Sequence, residues 1–199
     1  MDAARSDLSS WLSCADKIIV YDLEWTSWAG FAESGWSMPG KHCEVIQIGA
    51  VKIDCQQNFR EIGTFDLLVK PKINPDLSDY IQALTGLSQK QIDADGVAFP
   101  QAILKFHEFC EDASFVCSNG TDDFVIAENC ALHEIDCPNI FKNGVDLRPL
   151  FSKALGITGC GIDSCNLTSH LGLPSVGDHH DALADSRGIA AALLHLTAH

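Results

Sequence analysis

Basic residues are scarce in this chain: 13 lysines and arginines stand against 27 aspartates and glutamates, for a formal charge of -14. Affinity for duplex DNA comes largely from basic side chains that displace counterions, so an extended duplex-binding surface is disfavoured from the outset. The cysteines are nine (Cys14, Cys43, Cys55, Cys110, Cys117, Cys130, Cys137, Cys160 and Cys165), an odd set without a CxxC pair. That pattern suits neither a disulfide framework nor a zinc ribbon, and reduced thiols in a cytoplasm are the simpler expectation. The stretch from Cys130 through His133 to Cys137 matches no established zinc spacing and reads as small buried side chains. Also missing are an apolar run long enough to span a membrane, a signal-peptide core at the start, internal repeats and low-complexity tracts. A soluble cytoplasmic protein is expected, with residues 1–16 as an N-terminal extension and 17–199 as one domain. Its 46% hydrophobic content is ample for a core of that size.

The organisation is read from periodicity. Ile18 to Leu23 forms an apolar run that predicts a buried strand, and Cys43 to Asp54 and Glu61 to Lys70 predict two more, joined by the short polar segment 55–60. Three consecutive strands imply an antiparallel meander. Between the first two lies Trp25 to Gly40, aromatic and glycine-rich without a clear period, which reads as a surface loop. Beyond Pro71 and Pro75, Ser78 to Leu84 and Ser88 to Ile92 predict short helices, each opened by a serine that can cap free amides. A longer helix is expected over Ala98 to Asp112, a strand over Ala113 to Ser118, and a helix from about Asp122 to Ile135. Further helices are predicted over Leu147 to Leu155, Asp163 to Leu171 and Asp181 to Thr197.

Chemistry concentrates in a few acidic residues. Asp22 and Glu24 close the first strand, and because side chains two apart share a face, both carboxylates leave it in one direction. Two aligned carboxylates repel unless a cation lies between them, and carboxylate oxygens are the usual ligands of hard divalent ions. Near the other end of the chain His180 precedes Asp185 by five residues, and a histidine is a usual acceptor for a water's proton near neutral pH. Asp123 falls where a predicted strand hands over to a helix, the place where open α/β sheets bind ligands. These residues suggest metal-assisted hydrolysis.

Taken in order, Asp22-Leu-Glu24, Asp123 after Asn119-Gly-Thr-Asp, and His180-Asp-Ala-Leu-Ala-Asp185 resemble the three motifs of the DEDDh 3′→5′ exonuclease superfamily. Val45-Ile-Gln-Ile-Gly-Ala-Val51 resembles the family's second strand and Leu84-Thr-Gly-Leu87 its Thr-Gly turn, while Asp22-Leu-Glu-Trp-Thr-Ser-Trp28 is most similar to the Eri/KapD-like branch. The resemblance implies an RNase H-like α/β fold, a mixed five-stranded sheet flanked by helices. It implies two Mg²⁺ or Mn²⁺ ions held by Asp22, Glu24, Asp123 and Asp185, with His180 as general base. The implied reaction releases nucleoside 5′-monophosphates from single-stranded 3′ ends, RNA being preferred on the branch resemblance alone. Asp123 is chosen over its neighbour Asp122 because it fits the family's Gly-x-x-Asp context. Family position also suggests Leu23, Trp25, Thr26 and Leu87 as substrate-binding residues.

Each residue has a plainer reading. Asp181 suits a first-turn acid at a helix N-terminus. Trp25 is divided evenly between base stacking and packing, whereas Trp28, Phe31 and Trp36 are expected to pin the loop as a satellite core. Arg148, Lys153 and Arg187 could form a modest basic groove. Rival functions are a proofreading or oligonucleotide-clearing exonuclease acting on DNA or very short RNA, and a regulatory binding module without catalysis. The full set of acids and the histidine argues against the latter.

Overall fold

The protein's computed structural model describes Leu12, residues 15–177 and residues 180–197. The N-terminal extension is therefore largely outside the described residues, as are Cys14, His179 and His199.

Three long strands come first, as their periodicity predicts: β1 (Lys17–Trp25), β2 (Val45–Asp54) and β3 (Arg60–Lys70). β1 pairs antiparallel with β2, which pairs antiparallel with β3. Two short helices follow, α1 (Asp79–Thr85) and α2 (Gln89–Asp95), and the predicted serines do cap them. The Ser78 side chain accepts from the Ile81 amide, and Ser88 forms a capping box with Gln91. The chain continues through β4 (Val97–Ala98), α3 (Phe99–Cys110), β5 (Phe115–Ser118), α4 (Asp122–Leu132), α5 (Asn139–Lys142), β6 (Val145–Asp146), α6 (Arg148–Leu155), α7 (Leu167–His170) and α8 (Ala182–Thr197). The sheet has six strands in the order β4-β3-β2-β1-β5-β6, one more than the expected five. Mixed direction is as expected, since β5 runs parallel to β1 and β6 parallel to β5. β4 and β6 are two residues each, too short to carry a period. The helix expected over 163–171 is a 3₁₀ turn (Ser164–Asn166) leading into the four residues of α7.

Central strand β1 is covered on both faces. Ile18 and Val20 join Val51 and Ile53 against Ile189, Leu193 and Leu196 of α8, while Ile19, Tyr21 and Leu23 join Ile48 and Ala50 against Phe99, Ile103 and Phe106 of α3 and Val125 and Ile126 of α4. Such double coverage explains the near-continuous apolar run that made β1 readable. Asp22 and Glu24 extend the row of Ile18 and Val20, so they emerge on the α8 side of the sheet.

The docking of α8 turns on Gly49, the partner of Asp22 across the β1–β2 ladder. A methyl group at Gly49 would lie 2.1 Å from the Ala182 carbonyl carbon and the Leu183 amide nitrogen. Only a residue without Cβ lets the first turn of α8 rest on the strand opposite Asp22, and this close approach brings Asp185 to the end of β1. The helix start is further fixed by two side chains. Gln47, buried on β2, accepts from the Ala182 amide, and Asp181 accepts from the Ala184 amide. Asp181 is thus an N-cap.

Gly49→Ala is expected to displace α8 and cost about 1–3 kcal/mol of stability, as overpacking of a close contact does. Urea unfolding measures the loss. Unchanged stability would show that the helix rests less tightly on β2.

Candidate active site

Because β1 and β5 are parallel, their carboxyl ends face the same way, and an open cleft of about 1120 Å³ begins there. Pairing between them ends at Val20 and Cys117, so β1 runs on without a neighbour on that edge. The first residue of α4 takes up the free edge: the Leu23 amide donates to Asp122 Oδ1 at 3.2 Å. Asp22 and Glu24 from β1, Asp122 from α4, His180 just before α8 and Asp185 in its first turn all line the cleft. The four carboxylic residues are 4–7% exposed, which for charged groups calls for compensation.

Donor atoms of Glu24, His180 and Asp185 lie within 4.8 Å of one another, the only grouping of three or more such side chains among the described residues. Oxygen donors with one imidazole make a set that fits a hard divalent cation. His180 sits in the left-handed region at φ 59°, a strained geometry of the kind found at functional sites.

Burial and the neighbouring acids both act on these carboxyl groups. Burial first, then the charges of Asp122, Glu24 and Asp185, hold Asp22 well above the usual carboxylate range, while the Ser164 hydroxyl opposes the shift. Burial and then Asp185, Asp122 and Asp181 raise Glu24. Asp122 is pushed up to about 7 because burial outweighs its own and Leu23's amides, Arg148 and Ser118.

The structure brings Asp122, rather than the expected Asp123, to the cleft beside the other acids. Asp122 is buried in the cleft, whereas Asp123 is half-buried and does not line it. The helix begins at Asp122 after Gly120 at φ 144°, so that residue points back over β5. The next residue is rotated by about 100°. Asp123 accordingly lies toward Gly144 and Asp146, beside β6. Burial spaced at Asp122, Val125, Ile126 and Asn129 was the available signal.

Of the substrate-binding candidates, Leu23 and Trp25 line the cleft, and Thr26 and Leu87 do not. Thr26 is structural: its hydroxyl donates to the His42 carbonyl and accepts from the Glu44 amide. Leu87 packs with Ile46, Leu77, Ile81 and Ile92. From the neighbouring helix it is Ile81 and Leu84 that reach the cleft. The proposed basic groove reduces to Arg148, which lines the cleft and donates to the Asn119 carbonyl. Arg187 is instead held bidentate by Glu61, and Lys153 lies off the cleft. No zinc grouping of cysteines occurs among the described residues, and the eight described cysteines are unpaired thiols.

A family model described as Exonuclease (RNase_T) matches residues 19–193. The chain belongs to this exonuclease family. Among its relatives, 3′-5′ exonuclease Snipper of Drosophila melanogaster is 25% identical over 87% of this chain and 66% of its own length. The 3′-5′ exoribonuclease 1 of Rattus norvegicus is 28% identical over 88% of this chain and 51% of its own. The chain thus spans between half and two thirds of these relatives. The nuclease domain of 3′hExo, a DEDDh family member bound to rAMP, superposes with a TM-score of 0.80 at 24% identity, covering 92% of both chains. The RNase H-like fold expected from the sequence is therefore present, and the exoribonuclease match agrees with the Eri-like resemblance.

A pH dependence follows for the metal-free protein. A carboxylate whose folded pKa is raised stabilises the fold below its unfolded value, and the contribution is lost as pH rises through the folded value, for Asp122 from 3.8 to about 7. Metal-free Asp122→Asn is expected to melt above the unsubstituted protein at pH 8, the gap narrowing toward pH 5. Added Mn²⁺ should raise the melting temperature of the unsubstituted protein more than that of the variant. Identical curves for the two proteins would remove Asp122 from the repelling group.

Proposed function

We propose that this protein is a divalent-metal-dependent 3′→5′ exonuclease that releases nucleoside 5′-monophosphates from single-stranded 3′ ends, with RNA preferred over DNA. The observation that carries the reading is the convergence of Asp22, Glu24, Asp122 and Asp185 with His180 at one cleft. Asp22, Glu24, Asp122 and Asp185 would hold two Mg²⁺ or Mn²⁺ ions, which when bound stabilise charge on the attacking and leaving oxygens of a phosphodiester.

The side chains divide the remaining work. His180 accepts the proton of the attacking water as its oxygen bonds to the terminal phosphorus. The bond between that phosphorus and the 3′ oxygen of the preceding nucleotide breaks, and that oxygen takes up a proton. Leu23 and Trp25, flanking Glu24 along β1, offer apolar surface to the terminal base. Arg148 sets one positive charge in the cleft wall beside Asp122. With a net charge of -14, attraction for phosphate rests on the bound cations more than on any basic surface. That balance suits capture of a chain end rather than tracking along a duplex. RNA is favoured by the relative named 3′-5′ exoribonuclease 1 and by rAMP in the structural neighbour. The unpaired thiols support a reducing, cytoplasmic setting.

Purified protein supplied with Mn²⁺ and a 3′-labelled single-stranded RNA is expected to release the label as mononucleotide, faster than from DNA of matched sequence. Asp22→Ala should abolish release, Asp123→Asn should retain it, and His180→Ala should lower it about 10²- to 10⁴-fold. Equal release by the Asp22→Ala protein would overturn the assignment.

A further inference from the structure

The cleft is larger than removal of one nucleotide requires. Its volume of about 1120 Å³ exceeds the roughly 300–1,000 Å³ of single small-molecule sites, and it extends from the acids along α4 as far as Ala131 and Leu132. The surface along this extension is distinctive. Six large apolar side chains are exposed among the described residues, and the three aromatic ones, Trp36, Tyr80 and Phe124, all line this cleft.

Each comes from a different element. Phe124, 59% exposed, stands two residues after Asp122 on α4, and Tyr80 is on α1. Trp36 belongs to the 26–44 connection and joins the expected satellite core with only part of its surface. Phe31 is fully buried there as the anchor, whereas Trp36 is 47% exposed. Its ring contacts Trp25 edge-on at 5.9 Å and Phe31 at 5.6 Å. Trp36 also occupies the left-handed region at φ 59°, held by a hydrogen bond from its amide to the Phe31 carbonyl. A bulky residue seldom adopts that backbone, and here it leaves the half-exposed Trp36 side chain on the cleft wall. Charge completes the arrangement. Among the described residues Lys41 and Arg148 are the only lysine and arginine lining the cleft, and Lys41 is placed over the Trp28 ring at 4.3 Å.

We propose that Trp36, Tyr80 and Phe124 form a stacking platform for the unpaired bases on the 5′ side of the cut, with Lys41 beside a backbone phosphate. This rests on the exonuclease reading and extends it: the protein selects single strands because a platform of ring faces takes bases whose own faces are free, as those inside a duplex are not. The aromatic surface also offers grip that does not depend on positive charge, which this acidic chain has little of.

The test separates stacking from a structural role. Binding of a fluorescent single-stranded RNA is measured by anisotropy with Ca²⁺ for the unsubstituted protein, Trp36→Ala, Trp36→Phe and Phe124→Ala, each checked by thermal melting. The same RNA is then used with abasic residues at the second and third positions from the 3′ end. Trp36→Ala and Phe124→Ala are expected to weaken binding of intact RNA about 5- to 100-fold, Trp36→Phe much less, and the alanine effects should fall below about 2-fold on abasic RNA. Equal losses on intact and abasic RNA, or no loss on either, would overturn the platform. Because the readout is binding, such a result leaves the exonuclease reading standing, whereas an inactive protein that still discriminates abasic RNA would overturn that reading alone.

Discussion

Four buried carboxylates repel one another at the head of an open cleft, and the fold spends its most demanding contact on keeping them there. That contact is the seat of α8 on Gly49, where a single methyl group would collide with the helix backbone. Gly49 pairs with Asp22, so the point of closest approach between helix and sheet is also where the acid from the last helix meets the acids of the first strand. Gln47 and Asp181, which bind the amides at the start of α8, hold the helix against that repulsion. Burial raises the affinity of Asp22, Glu24 and Asp122 for protons, and at Asp22 and Glu24 the neighbouring acids add to it. A bound divalent cation would replace that repulsion with attraction, so the site is organised for an ion before any substrate arrives.

The other acid is placed by strand topology. β5 stops short of the end of β1, leaving the Leu23 amide without a ladder partner, and α4 begins where its first side chain can accept that hydrogen bond. Farther along α4, Asn129 accepts from the Val45 amide and donates to the Cys43 carbonyl, tying the helix to the start of β2 where the ladder with β1 shifts register. Buried amide contacts of this kind cost about 1–3 kcal/mol when one partner is removed. They make the orientation of Asp122 a consequence of packing over the whole helix.

What could be read in the chain beforehand follows the same physics. β1 and its two acids were legible because a strand buried on both faces is a continuous apolar run, and the acids interrupt it at its end. The serine caps of α1 and α2 were legible because capping is local. Two-residue strands such as β4 and β6 are made only by their neighbours, so no pattern in Val97–Ala98 or Val145–Asp146 announces them. Asp122 and Asp123 could not be separated by motif spacing because the choice depends on where the helix starts, which Gly120 and the Leu23 amide decide together. Thr26 and Leu87 looked like pocket residues by family position, yet their partners lie in segments 42–46 and 77–92. Trp36 stands among the residues expected to pack, and its exposure was not legible because it depends on a left-handed backbone in a loop without period.

The central claim is that Asp22, Glu24, Asp122 and Asp185 form one cation site with His180 at its edge. Crystals soaked with Mn²⁺ and a nucleoside 5′-monophosphate test it most directly through anomalous scattering. The account predicts manganese peaks in the cleft bound by these four carboxylates, with the phosphate alongside and His180 facing it. Peaks at cysteine thiols, ligation by Asp123 in place of Asp122, or a cleft that takes up no manganese would contradict it.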